Sequence, residues 1–174
     1  MEGYGVTAVG LRWALPVSDH LAGPLFRAFG VLEYQLKRRP AFLNADRFGN
    51  AMVDWSEVKA AVDSFPPADF ALQLEAFTRQ KVLDGARERP KVQVVIEVGG
   101  QRKATFAPRP LQPPNEVPSD ARALVEAAKR VRNNLFHGGK EEPGDQPFEG
   151  DDDQWGRAAL DVAQILLDLV DDDA

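Results

Sequence analysis

The residues equipped for chemistry are gathered in one stretch, Arg132-Asn133-Asn134-Leu135-Phe136-His137-Gly138-Gly139-Lys140. A guanidinium stays protonated and offers two parallel N–H donors to phosphate oxygens. An imidazole can take a proton from a ribose 2′-hydroxyl, or give one to a leaving oxygen, near neutral pH. At the last turn of a helix His137 feels the negative end of the dipole, which favours its protonated form. Lys140 and the pair Lys129-Arg130 add charge that can steer a polyanion to the site. These residue types fit phosphodiester chemistry on RNA, with Arg132 and His137 acting and Asn133 and Asn134 beside them.

The spacing constrains how they can act. At about 100° per residue, Arg132 and His137 lie about 140° apart on a regular helix, so one helix cannot aim both at one atom unless its last turn deforms. Asn133 and His137 are four residues apart and share a face. The polar arc points away from the apolar stripe Leu124, Ala128, Val131 and Leu135, which suits a cleft shared with a second copy across a two-fold axis. Each residue also has a structural reading. Arg132 can pair with Glu33, which lies at the edge of an apolar stripe in the first helix. His137 can cap the helix C-terminus, and Asn133 and Asn134 can close a loop.

The motif must be positioned by helices. Leu21, Leu25, Phe29, Leu32 and Leu36 mark a helix from about residue 22 to 39, with Pro24 in its opening turn and Pro40 at its end. The segment to Val53 is irregular, with Asn44, Asp46, Gly49 and Asn50 as turn formers. Asp54 and Glu57 form a capping box for a short helix to about residue 64. Pro66-Pro67 breaks it, and a further helix is expected over 68–83. The period changes to two at Val92, Val94, Ile96 and Val98, and with Gly99-Gly100 this predicts an inserted β-hairpin over 91–107. Residues 108–118 form a proline-rich extended connector. Ser119 caps the motif helix and Gly138-Gly139 stops it. After a polar loop over 140–150, Asp151-Asp152-Asp153 opens a final helix with a broad apolar face.

Composition bounds the class. The 174 residues, 44% hydrophobic, are enough for one domain with a sizeable core. There is no cysteine and the only histidines are His20 and His137, so neither a disulfide frame nor a histidine or thiolate metal site within one chain is expected, and no cofactor is invoked. The start, Met1-Glu2-Gly3-Tyr4, has no basic and apolar leader, and no uncharged run approaches a membrane span; the expected location is the cytoplasm. Residues 141–174 hold twelve acids and one base, whereas residues 1–140 hold twenty bases and fifteen acids. A basic body with an acidic end is compatible with a polyanion partner, and equally with an acidic end that is merely solvated, as at residues 171–174. His20 reads as a surface residue, and Trp13, Trp55 and Trp155 read as core anchors rather than base-stacking platforms.

Arg132 to His137 resembles the R-x-x-x-x-H signature of HEPN domains, with an asparagine directly after the arginine. The run through Lys140, the Glu33-Tyr34-Gln35-Leu36-Lys37 stretch and Asp54-Trp55 are similar to small prokaryotic members of that group. The likeness covers the helical parts and not the hairpin or the first residues. It implies a mainly α, four- to five-helix up-and-down bundle that forms homodimers. It further implies a metal-independent endoribonuclease of toxin or phage-defence type, cutting single-stranded RNA to a 2′,3′-cyclic phosphate. In that reading Arg132 stabilises the transition state, His137 is the acid/base and Asn133 orients the cleft. Asn134, Lys140, Lys129, Arg130 and Glu33 bind or support, and an antitoxin or other defence-system protein is a possible partner. The alternative is a non-catalytic HEPN module that binds a nucleotide or a protein. One departure is Gly139, where members paired with nucleotidyltransferase antitoxins carry a tyrosine, so silencing by that route is not expected.

Overall fold

The computed structural model describes residues 17–64, 67–84, 87–136 and 149–171. In order these form α1 (Asp19–Lys37), a 3-10 turn (Pro40–Phe42), β1 (Leu43–Ala45), β2 (Ala51–Val53), α2 (Trp55–Ser64), α3 (Pro67–Gln73) and α4 (Ala76–Arg79). The chain continues through a π turn (Gln80–Asp84), β3 (Val92–Val98), β4 (Gln101–Ala107), α5 (Asp120–Phe136) and α6 (Glu149–Asp171). The fold is mainly helical. Its described strands form two separate two-stranded antiparallel sheets, β1 with β2 and β3 with β4.

The leucine and phenylalanine stripe of α1 is fully inside, with Leu25, Phe29 and Leu32 shielded from water. It packs along α6, whose Trp155, Ala159, Val162, Ala163 and Leu166 are buried in the same core. Gly156 sets the approach of these two helices, because a Cβ there would stand 2.7 Å from Leu21 Cδ2 and 3.3 Å from Leu25 Cδ1. The backbone N–H of Ser18, at the start of α1, donates to Asp153 of α6 at 2.7 Å. That bond to Ser18 holds the Asp153 carboxyl below its ordinary range. Asp153, already inside α6, therefore serves the N-terminus of another helix.

α5 is the central helix. It packs on α6 and α2 and touches α3, the π turn and β3. The stripe Leu124, Ala128, Val131 and Leu135 is buried as the spacing demands, but Ala121, Ala123, Val125 and Ala127 are buried too. Small alanines let neighbours approach from several sides, so burial wraps most of the helix rather than one face. Arg122 to Asp63 at 2.8 Å and Lys59 to Glu126 at 3.1 Å tie α5 to α2. Ser119 caps α5 by accepting the Arg122 N–H at 3.2 Å.

Local signals place most boundaries. Asp54 Oδ1 accepts the N–H groups of Ser56 and Glu57 at 3.0 and 3.3 Å and caps α2. The hairpin expected over 91–107 forms in the register Val92↔Ala107 to Val98↔Gln101, with Gly99 and Gly100 at positive φ in its turn. Residues 108–118 hold no helix or strand.

Four expectations are corrected. α1 begins at Asp19, so Pro24 lies inside the helix and removes the N–H that would bond the His20 carbonyl. The segment before Val53 is not wholly irregular, because Asp46 accepts the N–H groups of Phe48 and Asn50, which turns β1 back onto β2. The single helix expected over 68–83 is broken at Leu74-Glu75: the Glu75 N–H donates to Asp161 of α6 at 2.9 Å. Its would-be acceptor, the Ala71 carbonyl, takes Arg79 Nη1 instead. Finally, α6 starts at Glu149, inside the stretch expected as loop. His20 is exposed and Trp155 buried, while Trp13 and residues 1–16 lie outside the described residues.

Candidate functional site

The described part of the motif, Arg132 to Phe136, occupies the last turn of α5. Arg132 reaches across to α1, where Nε and Nη2 donate to Oε1 and Oε2 of Glu33 at 2.5 and 3.1 Å, a two-pronged pair. Nη1 donates to Asn133 Oδ1 at 3.1 Å. The guanidinium carbon stands 4.7 Å from the centre of the Phe136 ring, and Phe26 of α1 meets that ring edge-on at 4.7 Å. Lys37 lies one turn from Glu33 and reaches it at 3.8 Å. The Arg132 and Glu33 side chains are 20% and 15% exposed, so the pair is half-sunk between two helices.

Five N–H donors belong to a guanidinium, and Arg132 uses three in bonds to described residues. Glu33 takes the Nε side of the fork. The plane of the group is thus fixed on one side by a carboxylate and stacked against an aromatic ring. Asn133 is a direct partner of Arg132, and Asn134 faces elsewhere, its Nδ2 donating to the Lys91 carbonyl at the root of β3 at 3.0 Å. His137, Gly138, Gly139 and Lys140 lie outside the described residues, so the angle between Arg132 and His137 is not part of this geometry.

Arg130 departs from the steering role expected of it. It is 5% exposed and turns inward, with Nε to Glu126 at 3.2 Å, Nη1 to the Arg109 carbonyl at 2.6 Å and Nη2 to the Pro110 carbonyl at 2.5 Å. A longer contact of 3.4 Å reaches the Pro90 carbonyl. It is a clamp on both legs of the hairpin, because its charge is shielded from solvent and its donors are engaged. Lys129 is more open but is held to Glu126 at 3.3 Å. Burial works against the charge on Glu126, yet Lys129, Lys59 and Arg130 together outweigh it and hold the carboxyl below the usual glutamate range.

The sequence reading passed over Glu126, Lys59, Phe26 and the inward use of Arg130. A signal existed for part of this: Glu126 precedes Lys129 by three residues and Arg130 by four, and Phe136 follows Arg132 by four, which are neighbour spacings on a helix. Nothing in the spacing pointed to Lys59 or Phe26. Among the described residues no three His, Cys, Asp or Glu side chains assemble as a metal site, and no helix is long and apolar enough to cross a membrane.

Comparison with family models, with characterised proteins and with solved structures returned no match. Any functional reading therefore rests on the motif and on the geometry around Arg132.

Proposed function

We propose that the chain is a metal-independent endoribonuclease of the HEPN type, cutting single-stranded RNA in a cleft built from two copies. The reading rests on the motif resemblance, and the observation that carries it is the setting of Arg132. A guanidinium at a helix end, held in plane by Glu33 and Phe136 and partly open to solvent, is pre-oriented for a phosphate. In the reaction the 2′-hydroxyl oxygen attacks the adjacent phosphorus, its proton passes to a base, and the bond to the 5′-oxygen breaks as that oxygen is protonated. The products are a 2′,3′-cyclic phosphate and a 5′-hydroxyl. His137 handles the protons, Arg132 stabilises the equatorial oxygens, and Asn133 fixes Arg132 from its other side. Such a protein acts in the cytoplasm as a toxin or defence effector under the control of a partner protein.

A second reading has its own observation. The two-pronged bond to Glu33 neutralises Arg132 within the chain, which is what a purely structural arginine needs. On that reading the protein is a non-catalytic module that binds a nucleotide or a protein. One experiment separates them: incubate the purified protein with single-stranded RNA in EDTA and identify the ends produced. Cleavage leaving cyclic phosphates, lost in folded Arg132→Ala and His137→Ala variants, supports the enzyme. Intact RNA with the wild-type dimer refutes it.

A further inference from the structure

The β3–β4 hairpin is gripped at its root and bare at its tip. Arg130 and Asn134 of α5 bind the carbonyls of Pro90, Lys91, Arg109 and Pro110, yet Val95, Ile96 and Val98 are 61%, 42% and 50% exposed. Two strands alone are marginal in water, and a bare apolar edge invites pairing. The two edges differ. That of β4 carries Arg102 and Lys103, charges of the kind that blunt an edge strand, whereas β3 has a single charge, Glu97, which faces Arg102 across the hairpin. Among the described residues no strand pairs with the outer edge of β3.

We infer that the open edge of β3 pairs antiparallel with β3 of a second copy, about a two-fold axis at Val95, to make a four-stranded sheet. The strand reads Val-Gln-Val-Val-Ile-Glu-Val, so turned end for end it meets its own chemical type at every position. Val92 faces the partner's Val98, Val94 faces its Ile96, and Val95 meets Val95. Gln93 faces its Glu97, which sets an amide donor against a carboxylate and opposes no like charges. This register also keeps one face apolar in both copies. Val92 and Val94 are half-buried beside the helical body, while Ile96 and Val98 project. Pairing therefore brings the projecting apolar pair of each copy next to the sheltered pair of the other. The same end-for-end match fails for β4, where Arg102 meets Phe106 and Lys103 meets Thr105.

The test exploits the lack of cysteine in the chain. Val95→Cys places two thiols on the axis, and a mixture of Val94→Cys with Ile96→Cys chains samples the adjacent pair. One of the two sites is a non-hydrogen-bonded pair with Cα atoms about 4.5 Å apart, within disulfide reach. Val98→Cys is the control, because its two copies stand about 20 Å apart in this register. The expected result is rapid disulfide dimer at one of the first two sites and none at Val98. In light scattering Val95→Lys stays folded and runs at half the wild-type mass, and an equimolar mixture of Val95→Lys and Val95→Glu recovers the wild-type mass. A monomeric wild type, a wild-type mass unmoved by Val95→Lys, or cross-linking no faster than at Val98 overturns the pairing. None of these readouts involves RNA, so the result stands apart from the nuclease assay.

Discussion

Removing the carboxylate of Glu33 is the perturbation that reports most directly on how Arg132 is held. The pair is less exposed than a surface ion pair, for which about 0–1 kcal/mol is usual, and less enclosed than a fully buried one, where breaking costs about 3–5 kcal/mol. Two charge-assisted bonds at this depth place the cost of Glu33→Ala near 2 kcal/mol. Arg132→Ala is expected to cost slightly less, since Glu33 keeps Lys37 within 3.8 Å and is not stranded. The double variant should fall short of the sum by about 1–2 kcal/mol, the coupling expected of residues in contact. Urea unfolding reads all three: with a slope of about 2 kcal/mol/M, Glu33→Ala shifts the midpoint by about 1 M. On the proposed nuclease reading, cleavage adds a second readout, because loosening a positioned guanidinium by about 1 Å can cost about 100-fold in rate. Additive losses with no coupling, or a midpoint shift below about 0.2 M, would refute the account of Arg132 as a fixed group.

Two further outcomes follow from the buried charges. Arg130→Met strips the clamp from the hairpin legs and leaves Glu126 with two lysines, so it should cost about 3–5 kcal/mol and expose the Arg102-Lys103 bond to trypsin before the helices unfold; a loss under about 1 kcal/mol would argue against the clamp. Acid should destabilise the chain: Asp63, held low chiefly by its bond to Ser119, and Glu126 and Asp153 all release protons more readily when folded, so unfolding takes up protons. Their contribution is intact above about pH 4.5 and is lost as the pH falls through the lower folded values, and Glu126→Gln should flatten that acid limb in melts recorded from pH 7 to 3.

Much of the helical frame was legible in the sequence because the signals involved are local. The α1 stripe from Leu21 to Leu36, the Asp54 and Ser119 caps and the alternation of β3 each act within a few residues, and each element formed where the pattern put it. Glu33 at the edge of its stripe was likewise readable as a partner for an arginine. The limits of α1 were not, since the N–H of Ser18 at its start is bonded to Asp153 of α6, 135 residues away. Nor was the break at Glu75, which depends on Asp161 of α6 outbidding the helix's own carbonyl for one N–H.

The sequence by itself determined that Lys129, Arg130 and Arg132 stand close together on one helix. Only the tertiary structure decided where those charges point. Arg130 and Arg132 are two residues apart on one helix and identical in chemistry, yet one is drawn inward by the hairpin carbonyls and Glu126 while the other lies half-open against Glu33. That difference is set chiefly by which chain segments arrive on each side of α5, separated by 20 to 99 residues, and the spacing within α5 contains only the Glu126 part of it. A charged side chain settles where its desolvation is repaid by partners, and those partners exist only once the helices have packed.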